Sequence, residues 1–216
     1  MERIYPDSKV EIQGLEARHY DRIMNGMTVG LYRNFIKTAI AGMNIRPDES
    51  ILDLGCGTGR NARLMHEHLS DEGSITGMDI SEEMEKRFRE NCAGLENIRY
   101  VNQRVDIPFR MDAPFDIAFI SFVLHGFPQE VRMKLIENVY GNLKPGGRFC
   151  ILDFSEFSLK EMPFYYRIPF KAIECPYAFD YIERDWKTTL ENNGFGDFEE
   201  AFMFKKYVRL LTAYKK

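Results

Sequence analysis

The sequence predicts an α/β fold: a doubly wound, mostly parallel seven-stranded sheet with a C-terminal antiparallel hairpin. Three observations carry that prediction. Short apolar runs alternate with helical patterns from residue 51 onward. Glycine, proline or capping residues close each run. The last two apolar runs are joined too tightly for a crossover helix, which makes them an antiparallel pair.

In chain order, residues 11–43 read as helix in two pieces, parted by Asn25-Gly26. In the second piece Leu31, Phe35, Ile36, Ala39 and Ile40 recur at helical spacing. Pro47-Asp48-Glu49-Ser50 interrupts, and 51–54 is the first strand. A glycine loop leads into a helix over 60–69, which Gly73 stops. Strand two covers 74–79, and Ser81 with Glu82 and Glu83 opens a capped helix. Strands three and four are 98–102 and 115–121. Pro128 can begin the next helix, along which Val131, Leu135, Val139 and Leu143 share a face, with Pro145-Gly146-Gly147 expected to end it. Strand five is 148–154. A helix over 185–193 and the turn Asn193-Gly194 precede two strands, 198–204 and 207–214, linked by Lys205-Lys206 and closing one sheet edge. Residues 155–184 are rich in aromatics and proline and give no clear period.

The chain has 216 residues, 44% hydrophobic and 29% charged, with a net charge of −4. That composition excludes disordered, collagen-like and disulfide-scaffold classes, and its mild acidity argues against nonspecific nucleic-acid binding. One domain spans the chain. The four cysteines, Cys56, Cys92, Cys150 and Cys175, form no CxxC pair, so reduced thiols are expected rather than a zinc site or disulfides. No stretch approaches the length of a membrane span, and the opening residues lack the apolar core of a signal peptide. A cytoplasmic monomer or homodimer with no integral membrane segment is expected.

Ligands of open parallel sheets sit beyond the carboxyl ends of the strands. Here strand one runs into Asp53-Leu54-Gly55-Cys56-Gly57-Thr58-Gly59. Glycines permit a tight turn and close approach of a ligand. A dinucleotide fingerprint needs GxGxxG, yet Arg60 follows Gly59, so the third glycine is misplaced. Strand two ends at Asp79, placed to accept hydrogen bonds from both ribose hydroxyls. A carboxylate at position 53 would repel a pyrophosphate and suit a cation. S-adenosylmethionine has the ribose, an ammonium and a sulfonium, and no phosphate.

The runs ILDLGCGTG, GMDIS, FDIAFISFVLHGF and LKPGGRFCILDF, in that order over about residues 48–155, closely resemble the class I S-adenosylmethionine-dependent methyltransferases. Residues 20–33, YDRIMNGMTVGLYR, with FDIAFISF and ILDFSEF, look like the ubiquinone/menaquinone biosynthesis C-methyltransferases; the C-terminus, MFKKYVRLLTAYKK, departs from that group. The resemblance implies a Rossmann-like methyltransferase fold and S-adenosylmethionine as cofactor, with S-adenosylhomocysteine as product. It also implies that the glycine loop, through Asp53, Gly55 and Gly57 with Cys56 among them, holds the methionine end of the cofactor. Asp79, followed by Ile80, would hold the ribose. The adenine contact falls within 102–106, where Gln103 and the backbone of Arg104 are our choices and Asp106 the fallback. Ser121 and Phe122 would line the other side, and Tyr20 would help close the site.

His125, in the loop after strand four, is the candidate catalytic residue: a neutral imidazole near its ordinary pKa of ~6.5 that accepts a proton from the acceptor. Tyr20 and Tyr166 are its alternatives. Residues 11–43 are expected to cover the site and 155–184 to form a substrate lid. Methyl transfer needs alignment and exclusion of water more than a metal or a nucleophile. The expected acceptor is a small apolar or aromatic molecule, with a quinone-like ring, a thiol and a phenol all open. The rival readings are an NAD-dependent oxidoreductase and a nonenzymatic cofactor-binding protein.

Overall fold

The computed structural model describes Tyr5, Asp7, Ser8 and residues 31–216. The expected turn at Asn25-Gly26 and the site residue Tyr20 lie outside the described residues.

Seven strands form one sheet in the order β3-β2-β1-β4-β5-β7-β6. They are β1 (Ser50–Leu54), β2 (Ser74–Asp79), β3 (Ile98–Asn102), β4 (Phe115–Ser121), β5 (Leu143–Phe154), β6 (Phe195–Met203) and β7 (Val208–Lys215). The first five run parallel, while β7 lies antiparallel between β5 and β6. The expected hairpin is therefore present, with β6 as the outer edge.

Alternation along the central strands sends successive side chains to opposite faces and makes two cores. Ala118 and Ile120 of β4 join Leu52, Phe149 and Ile151 in one core, while Ile117 and Phe119 join Ile51, Ile75 and Leu152 in the other. The helices α1 (Leu31–Gly42), α2 (Arg60–His66) and α3 (Glu82–Asn91) cover the second face. The helix α4 (Gln129–Asn142), with Val131, Leu135 and Val139 buried, covers the first. Ser81 caps α3 by accepting from the Met84 amide.

Several boundaries differ from the sequence reading, among them the start of β6 at Phe195 rather than 198 and the end of α2 at His66 rather than 69. The helix α4 ends at Asn142 rather than at the proline-glycine run, and β5 begins at Leu143. The run 144–147 is absorbed by a register shift against β4, with Gly146 in the left-handed region at φ 74°. Between β5 and β6 lie three short helices, α5 (Phe164–Ile173), α6 (Pro176–Tyr181) and α7 (Trp186–Glu191), so 155–184 is structured. The described end of the N-terminal segment, α1, is core as much as cover, because Ile36, Ala39 and Ile40 are fully buried against the sheet.

Candidate functional site

All five parallel strands deliver their carboxyl ends to one edge of the sheet. Two carboxylates reach it on the same face, because Asp53 pairs with Gly77 and Asp79 lies two residues further along β2. Asp79 is tied into the loop. Its Oδ2 accepts from the Gly57 amide at 2.9 Å, and its Oδ1 accepts from the amides of Ile80 at 2.7 Å and Ser81 at 3.2 Å. These donors fix the carboxylate's orientation and leave lone pairs for a diol. Burial raises the pKa of Asp79, against the pull of those amides.

Asp53 is only 1% exposed, and among the described residues its Oδ2 has no hydrogen-bond partner. Burial and, secondarily, the charge of Asp79 push its pKa to about 7. A buried carboxylate in that condition is costly unless something cationic meets it. The ammonium and sulfonium of the expected cofactor are such groups, and Asp79 offers acceptors to the ribose, so the residues present fit that cofactor.

The loop between them bends as its glycines require. Gly55, Gly57 and Gly59 all have positive φ, at 68°, 52° and 77°. A side chain at Gly59 would strike Phe88 and Cys92 of the α3 packing, so that glycine serves the fold. A side chain at Gly57 would meet nothing within 4 Å, so the open space above it is available to a ligand. Gly55 rests on Val123 of the turn after β4. The amides of Gly55 and Cys56 both donate to Met78 O, and Cys56 is buried beneath the turn. All four cysteines are free and buried.

The loop after β3 is occupied by its own contacts. The Gln103 amide donates to Asp79 O, and its side-chain amide donates to Arg104 O. Asp106, the fallback for adenine, is instead clamped by Arg104 at 3.0 and 2.5 Å, and accepts from the Tyr5 hydroxyl at 2.5 Å. Burial works against its charge, but Arg104 and Tyr5 hold its pKa below the ordinary value. Two aliphatic side chains are exposed here, Ile80 after β2 and Ile107 beyond β3.

Ser121 ends β4, and Phe122 follows it at φ 53°, a strained conformation for a bulky residue. His125 sits in the helical turn Leu124–Gly126. Its Nδ1 lies 2.7 Å from Asp153 Oδ1, its backbone amide donates to Asp153 Oδ2 at 3.1 Å, and its Nε2 is 3.6 Å from Glu174. Burial disfavours the charged ring, yet Asp153 first and Glu174 next outweigh it and raise its pKa. The expected ordinary pKa is therefore corrected to a raised one, since two carboxylates flank the ring. The ring of Tyr166, the other described alternative for a base, is tilted against Tyr207 at 6.1 Å between centroids, with Lys205 Nζ over its face.

Sequence reasoning missed Asp153, Glu174 and Arg132. Arg132 is fully buried and donates to Leu124 O, His125 O, Tyr177 O and Asp180 Oδ2, joining α4, the His125 turn and α6. Asp153 did carry a signal, since it stands next to last in an apolar strand as Asp53 does. Beside His125 the rings of Phe154, Phe170, Phe157 and Phe179 form a half-buried wall, with neighbouring centroids 5.1, 5.7 and 5.9 Å apart.

A methyltransferase-domain family model matches residues 51–147. The chain is 29% identical over 204 residues to a demethylmenaquinone methyltransferase of Listeria welshimeri, covering 89% of this chain and 85% of that one. Among solved structures, a SAM-dependent methyltransferase from Aquifex aeolicus aligns at TM-score 0.60 and 18% identity, over 84% of this chain and 89% of that one. Human N-acetylserotonin methyltransferase in complex with SAM aligns at TM-score 0.65 and 17% identity, over 86% of this chain and 53% of that one.

Proposed function

Because the chain is a class I S-adenosylmethionine-dependent methyltransferase related to the quinone-biosynthesis group, we propose that its acceptor is a small apolar aromatic molecule of the hydroquinone class. The observation that carries this reading is the half-buried wall of Phe154, Phe157, Phe170 and Phe179 at the carboxyl edge of β5. Partly exposed rings around a site offer an aromatic acceptor apolar surface and edge-to-face contacts. The name of the Listeria relatives points to the same chemistry.

Bound S-adenosylmethionine supplies an electrophilic methyl group on a sulfonium. Asp53 would balance the positive charge, and Asp79, fixed by three backbone amides, would hold the ribose. Gln103, Arg104, Ile80 and Ser121 border the remaining cofactor space in this reading, with Gly55, Cys56 and Gly57 as the loop beneath it. The aromatic wall excludes water and aligns the acceptor. His125 is a positioning residue: its ring ties the turn after β4 to Asp153 at 2.7 Å and faces Glu174 at the end of α5 at 3.6 Å. A single cytoplasmic domain with 155–184 as its acceptor lid completes the proposal.

The test is transfer of a labelled methyl group to short-chain hydroquinones, phenols and thiols, read by mass spectrometry. Methylation of the hydroquinones at the highest kcat/KM is expected. Transfer to thiols alone overturns the acceptor class. His125→Gln keeps cofactor affinity and raises the KM of the acceptor; loss of kcat with KM unchanged overturns the positioning role.

A further inference from the structure

We propose that α5 and the turn joining β6 to β7 form a docking surface for an anionic lipid bilayer. The helix α5 has no buried residue. Its inner side is taken by Phe170, whose ring meets Phe154, Phe157 and Phe179. On the outer side Phe164, Ile168 and Lys171 fall at helical spacing in one stripe. Phe164 and Ile168 are each 65% exposed and Tyr165 is 55% exposed. Apolar side chains rarely stand so far out together on a surface with no partner.

The turn lies beside this helix, with Lys205 Nζ 5.1 Å from the Tyr166 ring and the Tyr166 and Tyr207 rings 6.1 Å apart. Phe204, Lys205 and Lys206 have φ of 47°, 56° and 73°, three successive non-glycine residues in the left-handed region. That backbone is disfavoured for each of them. Its result is to stand Phe204 half exposed beside two exposed lysines.

Charge selects the partner. Among the described residues of this face, Lys160, Arg167, Lys171, Lys205 and Lys206 stand against one acid, Glu161, in a chain whose net charge is −4. Glu174, at the end of α5, is turned to His125 instead. Aromatic and aliphatic side chains ringed by cations match the interface of an anionic bilayer, where rings enter the headgroup layer and lysines meet lipid phosphates. The face also lies at the working edge of the sheet, since Phe154 at the end of β5 pairs with Val208 at the start of β7. The inference does not depend on which acceptor is methylated, because binding is read without one.

The test is co-sedimentation of the full chain with phosphatidylcholine vesicles, with and without phosphatidylglycerol, at low and high salt. Binding only to the phosphatidylglycerol vesicles, and loss of it at high salt, is expected. F164S/I168S and K205E/K206E should each weaken binding by at least about tenfold. Circular dichroism and unchanged affinity for S-adenosylhomocysteine show that each variant is folded. A parent chain that stays in the supernatant with anionic vesicles, or variants that bind as it does, overturns the proposal. So does a parent that is dimeric at sedimentation equilibrium while F164S/I168S is monomeric, which would give the face to a second copy.

Discussion

Two carboxylates, one just before strand β1 and one in its penultimate position, are each 1% exposed and have opposite electrostatics. Glu49, just before the strand, accepts from Arg148 at 2.7 and 2.8 Å and pairs with Arg46 at 3.2 Å. Burial alone would raise its pKa, but these cations lower it. Asp53, near the other end, meets no cation among the described residues, and its pKa rises to about 7. Equal burial thus gives a charge that holds the fold at one end of a strand and an uncompensated one at the other. In the proposed site, that uncompensated carboxylate is what a cationic ligand would meet.

The comparison breaks most severely at Glu49. Replacing it with Gln leaves the Arg148 guanidinium buried without its counter-charge, which should cost about 3–5 kcal/mol in urea unfolding. The folded fraction should bind S-adenosylmethionine normally, because the change lies at the far end of the sheet.

Asp53→Asn should do the reverse. Cofactor affinity falls by about 10–100-fold in calorimetry, as a charge-assisted contact is lost. The free protein gains stability. A folded-state pKa raised above the unfolded value gives stability that is present below the unfolded pKa and lost as pH rises through about 7. The variant escapes that loss, so its advantage in thermal melts should grow with pH, to a few kcal/mol at most. In the parent, affinity for the cationic cofactor should rise with pH through about 7, and in Asp53→Asn that rise should vanish.

Asp79→Ala should weaken cofactor binding by at least about tenfold and loosen the loop by freeing the Gly57 amide. Gly57→Ala is the mildest. It meets no protein atom within 4 Å, so it should cost about 1–2 kcal/mol of stability from its positive φ, together with whatever affinity the methyl takes from the ligand's space.

Much of this was legible because the signals are local. Asp53 and Asp79 stand next to last and last in apolar strands before a glycine or serine turn, and parallel-sheet topology brings such ends together. His125 was legible as a position but not as a chemical state. The rise in its pKa comes from Asp153, 28 residues away, and from Glu174, and no pattern in sequence ties the three. Residues 155–184 were unreadable for another reason. Their helices are short, and α5 buries nothing to impose a polar–apolar period. The bend at 144–147 was misplaced because proline and glycine mark a turn or a bulge equally well.

Arg132 has a consequence for how the molecule opens. It fastens α6 to the body through Asp180 and Tyr177 O, whereas α5, one turn earlier in the chain, has no buried side chain to fasten it. Local unfolding should therefore begin in α5 and stop at Cys175, which is itself buried. Amides of 164–173 should exchange with deuterium well before those of 176–181, and Arg132→Met should erase the boundary between them. The segment proposed as the acceptor's lid is then hinged on one buried guanidinium, able to open without disturbing the glycine loop.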